Sequence, residues 1–160
     1  MVADPSVPLV SASPDSPRPP ATRDMDRSLG DGGMPLLRTL GVSFVGYGQG
    51  WADADWEPTH LACNPAGIVQ GGVYGVVHDA AMNFAANAAL ARGDRCATLD
   101  VQYQTIRAAS AGDALRVRGA VTRAARQVAY LESEIRTADG DLVSRATATF
   151  ILRRREPEPS

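Results

Sequence analysis

The chain has 160 residues, 44% hydrophobic and 21% charged, with a formal net charge of -2. That length fits one domain with one core, and the near-neutral balance excludes a surface built for nucleic acid or anionic lipid. Two cysteines, Cys63 and Cys96, form no CxxC pair, and with only His60 and His78 beside them no cluster has zinc spacing. Both thiols are expected to be reduced and structural. The N-terminal run Val7-Pro8-Leu9-Val10 is too short for a signal peptide, and the longest apolar run contains His, Asp and Asn, so a cytoplasmic protein is expected.

Residues 1–33 hold six of the eleven prolines and end in Gly30-Asp31-Gly32-Gly33, a composition that predicts a disordered tail. The folded domain is expected over residues 34–153, followed by a frayed tail at 154–160. Residues 34–40, with Pro35 at a permitted first-turn position, predict a short helix before Gly41. Residues 41–58 then predict a hairpin about Gly48-Gln49-Gly50.

The stretch from Asn64 to Asn87 organises the rest. Asn64-Pro65 and Gly67 are turn formers, and Gly71-Gly72 lead into an Ala-rich apolar run that predicts a long helix. Small side chains allow such a helix to lie close against a sheet. Asp79, Asn83 and Asn87 recur at i+4 spacing and therefore share one face. Glycines leave the first helical N–H groups open, and the macrodipole adds roughly half a positive charge there, so Gly71 and Gly72 suit an oxyanion. Asp79 lies roughly 10 to 12 Å further along at 1.5 Å per residue. A carbonyl held at the glycines cannot also meet Asp79 of its own helix unless the substrate lies alongside, and a second copy of the helix could supply the other half.

Four strands with period-two alternation follow. Leu99, Val101 and Tyr103 alternate with Asp100, Gln102 and Gln104; Leu115, Val117, Gly119 and Val121 alternate with Arg116 and Arg118. Ala129, Leu131, Ser133 and Ile135 make one covered face with Tyr130, Glu132, Glu134 and Arg136 outward, and Asp139-Gly140 is a hairpin turn. The last strand places Leu142, Ala146, Ala148 and Phe150 inside. The expected class is α+β, one helix covering a face of an antiparallel sheet, whose edges invite pairing into a dimer.

The segment N-P-x-G-x-x-Q-G-G from Asn64 to Gly72, the Asp seven residues on, Arg107, Gly112 and the closing D-G-x-L-V-x-x-A-T-A-T-F resemble the hotdog-fold acyl-CoA thioesterases. The nearest branch is the PaaI-like, phenylacetate-pathway type of the 4-hydroxybenzoyl-CoA thioesterase superfamily, and the resemblance covers about residues 34–153. It implies an antiparallel sheet wrapped around one long central helix and an active site between two subunits of a dimer, or of a dimer of dimers. It implies no metal and no cofactor besides the CoA of the substrate. By position, Gly71 would polarise the thioester carbonyl, Asp79 of the neighbouring chain would act as base or nucleophile, and Asn64 would orient water or substrate. Gln70 stands where many members have His and can still hydrogen-bond a carbonyl. Gly72, Tyr74, Asn83, Arg107 and Arg126 are the expected substrate-binding residues.

Each of these roles has a plainer counterpart. Asp79 could be a buried structural acid, and Asn64 and Gln70 could only fasten the loop. Tyr74, Phe84, Trp56 and Tyr103 could be core rather than acyl pocket, and Arg107, Arg126 and Arg153 to Arg155 could be solvated rather than bound to CoA phosphates. His78 precedes the acid, but neighbours on a helix point about 100° apart, so a packing or interface role is expected. Hydrolysis of an acyl- or aryl-CoA thioester is the expected reaction. A non-catalytic module binding acyl-CoA or another apolar ligand stays open beside it, and an enoyl-CoA hydratase lacks its Gly-Asp-x-Asn-Pro lead-in here.

Overall fold

Stretches of period-two sequence become the strands of a single sheet in the computed structural model, which describes residues 23–155. Helix α1 spans Pro35–Leu40, β1 Val42–Gly48, β2 Trp51–Trp56, α2 Gly71–Ala89, β3 Arg95–Thr105, β4 Leu115–Ala124, β5 Val128–Thr137 and β6 Leu142–Arg153. The strand order is β1-β2-β4-β5-β6-β3, and every neighbouring pair is antiparallel. Helix α2 thus carries the chain from β2, next to one edge, to β3 at the other. This is the expected hotdog arrangement, a sheet around one central helix. Among the described residues no helix is long and apolar enough to cross a membrane.

Although the alanines from Ala80 to Ala89 favour the second half of α2, intrinsic propensity does not explain its first half, where Gly75 disfavours a helix by about 1 kcal/mol relative to alanine. Burial holds it instead: Tyr74, Val77, Ala81 and Phe84 pack with Phe44, Trp56, Val117 and Ile135, while Met82 and Ala86 join Leu131, Ala148 and Phe150. Gly119 of β4 sets how close the helix comes. A Cβ at Gly119 would stand 2.4 Å from the Ala81 carbonyl oxygen, so only glycine admits this approach.

Strand β5 follows its alternation, with Ala129, Leu131, Ser133 and Ile135 buried and Tyr130, Glu132 and Glu134 exposed. In β3 the pattern breaks. A bulge lies between Thr98 and Asp100, and Leu99, expected on the same face as Val101, is 58% exposed while Val101 packs on the core.

The expected domain start near Met34 is too late. Met25 is buried, a 3-10 turn spans Asp26–Ser28, and Gly30 and Phe44 exchange N–H···O bonds of 2.9 and 2.6 Å. Tyr47 clasps the same segment, accepting from Met25 N–H at 3.2 Å and donating to Asp26 at 2.7 Å. Arg23 donates its N–H to the Leu90 carbonyl and its guanidinium to Ala91, placing a cation at the negative end of α2. Composition hid this because one buried methionine and paired backbone, not a hydrophobic run, hold residues 23–33. At the other end Arg154 and Arg155, assigned to a frayed tail, both bond Asp94 at 2.9 Å. The remaining parts of the two expected tails, 1–22 and 156–160, lie outside the described residues.

Candidate active site

The loop before α2 is built by its own backbone. Asn64 Oδ1 accepts the N–H of Ala66 at 3.0 Å and of Ile68 at 3.3 Å, and the Asn64 and Ile68 backbones bond at 2.8 Å. The side-chain oxygen of Asn64 is thus engaged in the turn, which favours its loop-fastening reading. Val69 N–H to Ala109 and Gln70 N–H to Ala62, each 2.9 Å, pin the loop to its surroundings.

Bonding along the helix resumes at Val73, whose N–H reaches the Gln70 carbonyl at 2.9 Å. The N–H groups of Gly71 and Gly72 take no backbone acceptor among the described residues, and the side chain of Gln70, exposed at the N-cap, does not cap them. Both glycines are exposed, and a Cβ on either would meet nothing within 4 Å. Two adjacent amide donors facing open space at the positive end of a helix can hold an oxyanion.

About 12 Å further along the axis, at 1.5 Å per residue, Asp79 lies half-buried on the flank toward β3. There Thr98 Oγ1 donates to Asp79 Oδ1 at 2.8 Å. No cation among the described residues forms a salt bridge with it. The expected polar line continues: Asn87 Nδ2 donates to Asn83 Oδ1 at 2.8 Å, and Asn87 Oδ1 accepts the Arg23 guanidinium at 2.8 Å. Cys96 lies beside it, 3.5 Å from Asn87 Nδ2; burial pushes its thiol pKa up, and the charge of Asp79 adds to that, so the thiol is neutral. Both cysteines are free.

His78 points the other way, into the sheet, and is fully buried. Nδ1 lies 2.9 Å from Ser133 Oγ and Nε2 lies 2.8 Å from Ser144 Oγ, while Ser144 donates its own hydrogen to the Gln104 carbonyl at 2.9 Å. That last bond assigns the tautomer: Ser144 can only accept from His78, so Nε2 carries the proton and Nδ1 accepts from Ser133. Burial lowers the imidazole pKa to about 4. His78 is therefore a neutral packing residue, the plainer of its two expectations being the internal one.

Other expected contacts do not gather at the glycines. Tyr74, expected to bind substrate, is 1% exposed, edge-on to Trp56 at 5.6 Å between ring centroids, and its hydroxyl accepts the Ala109 N–H at 3.2 Å. Three residues past Gly71 its side chain already turns to the sheet, so it is core. Phe84 stacks on Phe44 at 4.3 Å, and the Trp56 indole donates to the Leu40 carbonyl. Of the four aromatics only Tyr103 reaches the helix start, donating its hydroxyl to the Gly71 carbonyl at 3.1 Å. Arg107 pairs with Asp141 at 3.3 Å near the start of β6, whereas Arg126 is exposed in the turn whose Gln127 carbonyl binds Leu152 at the end of β6. One chain thus holds the two arginines at opposite ends of the sheet.

Thr98, Ser133 and Ser144 are the polar groups that sequence reading did not single out. A signal existed for Ser133, a hydroxyl on a covered face that must find a partner. None existed for Thr98, whose partner lies 19 positions away.

Residues 66–144 match the family model of the thioesterase superfamily. Among solved structures, the chain is similar to a phenylacetic acid degradation-related protein of Ralstonia eutropha, with 34% identity and a TM-score of 0.67 over 73% of this chain and 89% of that one. The PaaI protein from the phenylacetic acid degradation operon of Escherichia coli shares the fold at 19% identity and a TM-score of 0.69, over 76% of this chain and 86% of its own. So does a hypothetical thioesterase of Streptococcus pneumoniae solved with coenzyme A, at 17% identity and a TM-score of 0.66, over 72% and 88%. No curated protein matches the chain. Identity at the level of the Ralstonia protein along most of that protein's length, together with a family match running from the Asn64 loop into β6, means that this chain belongs to the thioesterase superfamily, as a thioester hydrolase of hotdog fold.

Proposed function

We propose that the chain hydrolyses acyl-CoA or aryl-CoA thioesters to the free acid and CoA, in a site shared between two copies. The observation that carries this reading is the separation of its two halves. Open amides at Gly71 and Gly72 and an unneutralised carboxylate at Asp79 lie about 12 Å apart on one helix. A second α2 running antiparallel alongside brings the amides of one copy to the acid of the other. Edge strand β3 offers the means, being mostly exposed along its length, with Leu99 58% and Tyr103 38% exposed. A dimer built through it would bury that edge, and pairing of dimers would give a tetramer.

In such a site the Gly71 amide, with Gly72 beside it, receives the thioester oxygen as it becomes an oxyanion. Asp79 takes a proton from water as the water oxygen attacks the carbonyl carbon; the C–S bond then breaks, and the thiolate leaves as CoA after protonation. Thr98 fixes the carboxylate that does this. Gln70, exposed beside Gly71, can donate to the substrate carbonyl. Asn83 lies one turn beyond the acid, facing the acyl group. The fold relative with coenzyme A supports CoA as the carrier, and Arg126 or Arg107 supplies a cation for its phosphates. The reaction draws on no cofactor beyond the CoA of the substrate, and two free thiols suit a cytoplasmic setting.

Free-thiol release from short, medium, long-chain and aryl acyl-CoAs, with wild type and Asp79→Asn side by side, tests the reading. Turnover by wild type alone is expected, and the preferred panel member names the acyl class. Acyl-CoA binding without turnover on any member would instead make this a binding module.

A further inference from the structure

The Tyr103 hydroxyl donates to the carbonyl of Gly71, and that carbonyl belongs to the same peptide plane as the N–H of Gly72. Polarising one end of a peptide polarises the other. The ring that delivers this bond lies across α2 at Gly75, where a Cβ would stand 2.8 Å from Tyr103 Cε1 and 3.1 Å from Cζ. Gly75 is thus a notch in the helix, and Tyr103 fills it. The backbone just past Tyr103 is anchored as well, since Ser144 donates to the Gln104 carbonyl.

Resting on the thioesterase reading above, we propose that Tyr103 is a positioning residue for the oxyanion site: seated in the Gly75 notch, it holds the Gly71–Gly72 peptide so that the Gly72 N–H is a second, preorganised donor. The structure supports the roles of both residues. Glycine at 75 weakens the helix by its propensity, yet here it admits an aromatic ring that would otherwise be pushed off the helix start. The hydroxyl then binds the carbonyl of the peptide that carries the open Gly72 amide. No substrate contact is required of Tyr103 itself.

Tyr103→Phe keeps the ring in the notch and removes only the hydroxyl. Its kcat should fall about fivefold to tenfold, the weight of one neutral hydrogen bond, with KM nearly unchanged. The Gly72 amide signal in the NMR spectrum should move while the signals of the rest of α2 stay in place. Gly75→Ala, which favours helix, should displace the ring and lower kcat similarly without lowering Tm. Unchanged kcat in Tyr103→Phe, in an assay where Asp79→Asn is inactive, overturns the positioning role and leaves the thioesterase reading standing. A kcat loss with an unmoved Gly72 signal overturns it too, because the loss would not pass through that peptide. Wild-type protein that releases no thiol from any acyl-CoA overturns the thioesterase reading and, with it, this inference.

Discussion

His78 and Asp79 are neighbours in sequence, both titratable, yet the 100° step between them sends the first into the sheet and leaves the second half-buried on the flank toward β3. His78 has no access to solvent and is neutral, with both ring nitrogens satisfied by serines. Asp79 has a single side-chain donor, Thr98, and no cation to neutralise it among the described residues. The difference shows how a helix can hold an internally satisfied imidazole and a reachable carboxylate at adjacent positions without coupling them: the 100° between successive side chains gives each its own surroundings.

The sharpest test of this contrast is Asp79→Asn, expected to lower turnover roughly 10²- to 10⁴-fold while Tm and oligomeric state hold. An Asp79→Asn protein with most of its activity would erase the contrast. His78 should show in stability instead. Its pKa is lower in the fold, about 4, than in the unfolded chain, 6.5, so above pH 6.5 its contribution is complete. As pH falls from 6.5 to 4 only the unfolded chain takes up the proton, and about 3 kcal/mol is lost. Denaturant titrations across that range should show this acid limb, and His78→Gln should flatten it; an unchanged limb would assign the loss to other groups.

Thr98→Val removes a hydrogen bond to a charged acceptor, worth roughly 1.5–3 kcal/mol, so kcat should drop about 10- to 100-fold. A stability loss without a kcat change would place Thr98 with His78 rather than with Asp79. Ser133→Ala leaves His78 Nδ1 buried without its donor and should lower stability by roughly 1–3 kcal/mol, read by urea unfolding. Activity per folded molecule should be unaffected.

What the sequence disclosed was local. The glycine pair, the acid seven residues on and the i+4 line to Asn87 follow from helix geometry alone, and the faces of β5 follow from strand alternation. The irrelevance of His78 to Asp79 was legible for the same reason. Tyr74 was misplaced because residues three past Gly71 can face either the sheet or the flank until the helix is docked, and docking depends on Gly119 in a distant strand. Arg107 and Arg126 both looked available for CoA, but their distance apart depends on how β6 lies between them. The packing of residues 23–33 rests on Met25 and on pairing with Phe44, neither of which leaves a periodic trace.

The bulge at Leu99 has a meaning best put as parity. Thr98 and Tyr103 are separated by an odd number of positions, so on a regular strand they would face opposite sides. Both nevertheless reach α2, one at Asp79 and one at Gly71, because a single additional residue lies between them. Leu99 works like an inserted letter that restores a reading frame. Its deletion would turn either the partner of Asp79 or the partner of the helix start out to solvent, so Thr98 and Tyr103 are kept in phase by one exposed leucine.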